Sequence, residues 1–183
     1  MTAYFNAVKA ELKDGKIALL VLVFTVARVI YGLKWVESGI GKLVWFSDGK
    51  LNSAAKIQTM ITNIAGEKVT NFDPLGINQS FAWVAKNVFL GMPGLTDGLV
   101  VIFEILVGLF MILGFRVFWG ALIAMFMNIQ FIAGGSFNNF GYIWTNLAMF
   151  KFAKYAELIG VDGFLRFKNS KKLLQTGDRP QSA

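Results

Sequence analysis

Residues 95–115, LTDGLVVIFEILVGLFMILGF, are almost wholly apolar and carry Glu104 near their middle. About 20 such residues cross a hydrocarbon core as a helix. A carboxylate at that depth costs on the order of 3 kcal/mol unless a counter-charge, a proton or water compensates it, so a role is expected for it. Two kinds of chemistry fit: transfer of a proton, or charge pairing that sets helix register. Arg28 lies about eleven residues into another apolar run and Glu104 about nine into its own. At a rise of 1.5 Å per residue both fall near mid-depth, so an Arg28–Glu104 ion pair is expected. A third run carries Asn128 and Gln130, which point about 200° apart on a helix. Asn128 shares its face with Ala121, Ala124 and Met125 and is the amide expected to point inward. One reading makes this polar set a strut between helices. The other makes it a pocket for a ligand head group, sleeved by Trp, Phe and Met.

The elements that would hold these groups follow from hydropathy. Four spans are expected, at about 17–46, 95–115, 117–135 and 141–160. In the first, Arg28, Gly32, Trp35, Gly39 and Lys42 recur at helical spacing on one face, and the two glycines there would let a neighbouring helix come close. Residues 47–94 form a long connection with two short helical patterns, at 53–64 and 78–90, separated by the turn signal NFDPLG and ended by GMPG. Neither pattern is long enough to span, so both are expected as interfacial pieces capping the outer mouth. Residues 1–16 pattern as a short amphipathic surface helix. The single membrane domain is expected over 1–165, with 166–183 a basic, disordered tail.

Composition agrees with this class. The 183 residues are 55% hydrophobic and 16% charged, against about 25% charged in soluble domains. The fold class expected is therefore all-α: an integral membrane four-helix bundle with short interfacial helices in the loop between spans one and two. The net charge of +7 is concentrated at the termini, which suits an anionic membrane surface and not nucleic acid. Lysine and arginine bias places both termini in the cytoplasm, in a multi-pass protein of the cell membrane. With no Cys and no His, the chain lacks ligands for an iron–sulfur cluster, a typical zinc site or a His- or Cys-ligated haem. The polar start and the lack of a small-residue cleavage site argue against a cleaved signal peptide.

Three segments carry a family resemblance. GLKWVESGIGKL follows Arg28, VIFEILVGLFMILGFR turns tightly into the third span, and AMFMNIQFIAGGSFNN ends it. Together they resemble the DoxX/DoxD family of four-span membrane proteins, over about residues 17–166. The outer insertion and the ending IGVDGFL resemble the subset that forms the membrane subunit of thiosulfate:quinone oxidoreductases. The matched positions are Arg28, Gly32, Lys42, Glu104, Gly108, Gly114, Asn128 and Asn139. The resemblance implies a subunit passing electrons from thiosulfate to quinone. Glu104 and Arg28 would be its catalytic pair, and Asn128, Trp35, Lys42 and Asn139 would bind the ligand. No covalent cofactor is expected; quinone is the implied ligand, and membrane lipids, a second oxidoreductase subunit and a further copy of the chain are the implied partners. Lys34 and Lys42 would either recruit an anion or simply anchor the helix end. A function of a different class stands beside this one, a non-catalytic scaffold or lipid-binding module of a redox or stress complex.

Overall fold

The computed structural model describes residues 2–46, 83–133 and 139–176. Six α-helices run through them: α1 (Thr2–Glu11), α2 (Gly15–Gly41), α3 (Pro93–Leu113), α4 (Val117–Ala133), α5 (Phe140–Ala156) and α6 (Val161–Thr176). A 3₁₀ turn, Leu43–Phe46, follows α2, and a π-helical turn, Ala85–Phe89, precedes α3. No strand occurs among the described residues. Among the described residues two helices are long and apolar enough to cross a membrane, Gly15–Gly41 and Gly94–Leu113, with mean hydropathies of 2.0 and 2.2; Val117–Ile132 is apolar but shorter.

Local chemistry sets the boundaries. Asp14 caps α2, its side chain accepting from the Lys16 and Ile17 amides at 2.8 and 3.4 Å. Pro93 begins α3, where its missing N–H is harmless. Gly114 ends α3 in the left-handed region (φ 62°), and the Phe115 amide reaches back to the Phe110 carbonyl at 3.0 Å. That closing bond is the Schellman pattern, and it explains why α4 starts at once.

Helix α2 packs on α3 and α5, and α4 packs on both of them in turn. Val107, Met111, Val117, Ala121, Ala124 and Met149 are fully buried at the centre of this arrangement. The tightest seam is α2–α3. A Cβ on Gly32 would meet the Gly108 carbonyl at 2.8 Å, and one on Gly39 would meet Ile105 Cγ1 at 2.8 Å, so both expected glycine positions are close approaches.

Three expectations change. The first span does not stay α-helical to residue 46, because α2 stops at Gly41 and tightens into the 3₁₀ turn. The expected tail is helical as far as Thr176, where α6 offers Phe164 and Phe167 to Tyr4 of α1 at ring separations of 5.6 and 5.8 Å. The Tyr4 hydroxyl also donates to the Leu158 carbonyl at 2.5 Å, so α1 has a protein partner for one face. The 53–64 helical pattern and the NFDPLG turn lie outside the described residues.

Candidate functional site

Glu104 is buried on α3, and its counter-charge is Lys42, at the end of α2. The Lys42 Nζ donates to both Glu104 oxygens at 2.7 Å. It also donates to Ser38 Oγ at 2.6 Å, and Ser38 Oγ donates onward to Glu104 Oε1 at 3.3 Å. Gly39 makes this reach feasible, since a Cβ there would stand 3.2 Å from Glu104 Cβ. The Lys42 side chain keeps 21% exposure while Glu104 keeps 1%, so the pair joins a half-open ammonium to a sealed carboxylate. Such a pair can fix register, and it can pass a proton between its members.

The expected Arg28–Glu104 pair does not form. Arg28 donates Nε to the Ala156 carbonyl at 2.7 Å and Nη2 to the Ile159 carbonyl at 2.6 Å. Its Nη1 donates to the carbonyls of Ile112, at 2.8 Å, and Met111. These are orphan carbonyls in or just past the last turns of α3 and α5, where helix dipoles favour a cation. The depth count failed because α2 and α3 do not end level. Arg28 sits against Gly114, the residue after α3, and the first three turns of α2 run past that point. Its donors are committed to tying helix ends together, which leaves Glu104 to Lys42.

A second buried polar group lies on the same face of α2. Asn128 Nδ2 donates to the Tyr31 hydroxyl at 3.0 Å, and that hydroxyl donates to Asn146 Oδ1 at 3.0 Å. All three residues are buried, and Asn128 and Asn146 are wholly so. The chain uses only half of each amide, for Asn128 Oδ1 and Asn146 Nδ2 have no hydrogen-bond partner among the described residues. Reversing both amides would reverse the chain and still leave one donor and one acceptor open. Trp35 lies one turn along α2, buried, with its ring edge-on to Tyr31 at 6.0 Å. Arg28, Tyr31, Trp35, Ser38 and Lys42 thus form a continuous polar seam at alternating steps of three and four residues.

No family model matches this chain, and no curated protein or solved structure matches it either.

The remaining expected residues fall at differing distances from these two groups. Asn128 is the buried amide and Gln130 is only partly buried, as their helical angles require. Asn139 stands at the N-cap of α5, seven residues and about 10 Å along the helix axis from Asn146. Lys34 faces outward and pairs with Glu37 at 2.7 Å. Tyr31 and Asn146 carry the amide–phenol chain yet were not among the expected site residues. Asn146 was visible as an amide within an apolar run, and Tyr31 as the residue between Arg28 and Trp35 at seam spacing. Asp97, near the start of the 95–115 run, is 1% exposed on α3. Its separation of seven residues from Glu104, two helical turns, was the signal that both share a face.

Proposed function

We propose that the chain is a multi-pass protein of the cell membrane, a four-helix bundle with both termini in the cytoplasm, and that it binds quinone as a subunit of a thiosulfate:quinone oxidoreductase system. The membrane part draws on the outer surface. Leu22, Ile30, Ile102, Phe126 and Trp144 are each at least 57% exposed, on four different helices. A soluble protein does not present apolar side chains on every outward face.

The observation that carries the functional part is the Lys42–Glu104 pair, an ionisable couple held within an apolar bundle, two seam positions from Trp35 and three from Tyr31. Intramembrane ionisable residues of this kind mark proton and substrate paths. The open donor and acceptor at Asn146 and Asn128 suit a ligand that presents a carbonyl when oxidised and a hydroxyl when reduced. A quinone supplies acceptance of two electrons and two protons, balanced by two thiosulfates joining through a new S–S bond. In this chain Glu104 and Lys42 hold a proton and deliver it, Asn128 and Asn146 orient the head group, and Trp35 walls it. The sulfur donor comes from the sequence resemblance. With no redox centre among its own side chains, the chain works by direct transfer between bound reactants or with a second subunit.

The test is extraction in mild detergent, followed by identification of copurified isoprenoid quinone and an assay of thiosulfate-dependent quinone reduction. Glu104→Gln is expected to abolish reduction while the helices stay folded. Wild-type protein that neither carries quinone nor reduces it with a sulfur donor would reject the oxidoreductase and leave the scaffold reading.

A further inference from the structure

A second candidate site lies at the opposite end of the seam from Lys42, where α4 begins and α6 crosses it. A pocket of about 370 Å³ opens there, and four of its lining residues are charged: Arg116, Glu157, Asp162 and Arg166. Two are spent on each other. Arg166 pairs with Glu157 at 2.9 Å, and the other Glu157 oxygen accepts from the Val117 amide at 3.2 Å. The other two are linked only through backbone: Asp162 accepts from the Arg116 amide at 2.8 Å. The Arg116 guanidinium makes no ion pair among the described residues; it lies 5.9 Å from the Phe115 ring. Arg116 is also held at φ 50°, a conformation that disfavours a side chain. Beside these charges the wall turns apolar, with Phe118 and Trp119 44% and 53% exposed.

We propose that this pocket binds the head group of a zwitterionic phospholipid bearing a primary amine. The phosphate meets the Arg116 guanidinium, the ammonium meets the Asp162 carboxylate, and the acyl chains run along Phe118 and Trp119. The lining charges cancel, two against two, which favours a zwitterion over an anionic lipid. A primary ammonium can donate hydrogen bonds to Asp162 where a quaternary one cannot. The site rests on the membrane reading above but not on quinone binding. If the membrane reading fails, the protein stays monodisperse without detergent; if the site alone fails, the protein needs detergent yet shows no head-group preference.

The test uses the full chain in nanodiscs of equal ethanolamine, choline and glycerol head-group phospholipids, transferred to mild detergent and read by native mass spectrometry. Retained ethanolamine lipid is expected to exceed choline lipid about tenfold, the worth of one charge-assisted hydrogen bond. Arg116→Gln and Asp162→Asn are each expected to remove that preference, and Lys154→Gln, an exposed lysine outside the pocket, to preserve it. Should Asp162→Asn disturb the turn it supports, Arg116→Gln decides, since it leaves the backbone bond to Asp162 in place. Equal retention of the three lipids, or an undiminished preference in Arg116→Gln, overturns the proposal. Displacement of the lipid by millimolar inorganic phosphate also overturns it, by making the ligand a free phosphate and not a lipid.

Discussion

Gly32 and Gly108 cross with their backbones in contact: a Cβ on either would stand 2.8 Å from the carbonyl oxygen of the other. Neither helix has room for one more methyl group. Gly32→Ala and Gly108→Ala are each expected to destabilise the protein by about 1–3 kcal/mol, the range for overpacking a filled contact. Gly15→Ala meets nothing within 4 Å among the described residues and should melt at or above the wild-type temperature. Thermal melts followed by circular dichroism in detergent check all three, and a Gly32→Ala protein as stable as wild type would show that the seam can relax.

Lys42 and Glu104 should behave as a coupled pair. Lys42→Met strands a buried carboxylate and is expected to cost about 3–5 kcal/mol. Adding Glu104→Gln to it should recover part of that loss, since the stranded charge is gone. A double-mutant cycle measures the coupling. Losses that simply add would mean the contact contributes nothing.

Arg28→Lys keeps the charge and removes the fork. One ammonium cannot reach carbonyls at the ends of two helices, so a loss of about 2–4 kcal/mol is expected. Hydrogen exchange should rise first around 111–114 and 156–160, where the guanidinium binds.

Tyr31→Phe removes the link between two buried amides and should cost about 1–3 kcal/mol. Converting Asn128 and Asn146 to Leu in that background should restore stability, because paired loss of polar groups is nearly neutral. Quinone carried per mole of the triple variant should nonetheless fall to background. Unchanged quinone content would place the ligand elsewhere.

Arg116→Gly should raise stability by about 1 kcal/mol through relief of its left-handed backbone, while erasing the lipid preference. A drop in melting temperature would show that the Arg116 side chain holds the turn.

The glycine seam and the inward amide were legible in the sequence because helical angle alone decides them. Gly32, Gly39, Trp35 and Lys42 share a face whatever packs against it, and Asn128 and Gln130 point apart on any helix. The partner of Glu104 was not legible, because pairing needs the relative height of two helices. Counting from the edges of the apolar runs put Arg28 level with Glu104, whereas the Gly32–Gly108 contact slides α2 until Lys42 meets it. The helical end of the chain was missed for a related reason. The stretch from Arg166 onward is too polar to look ordered by itself, and Tyr4, whose ring meets Phe164 and Phe167 where that stretch begins, comes from the far end of the chain.

Gly32 and Gly39 bring α2 into close backbone approach with α3, while Arg28 bonds alike to the ends of α3 and α5. Above Arg28, the α2–α5 side is closed by the Tyr31–Asn146 hydrogen bond and by the tilted stacking of Tyr31 on Tyr142, 5.4 Å between centroids. Tyr142 is itself 37% exposed. The α2–α3 side is therefore the closely packed one, and the α2–α5 side is held across Tyr31 by side chains alone. A lipid-soluble molecule bound for the amide pair would enter laterally, by turning aside one tyrosine, and would not have to pass either charged end of the bundle.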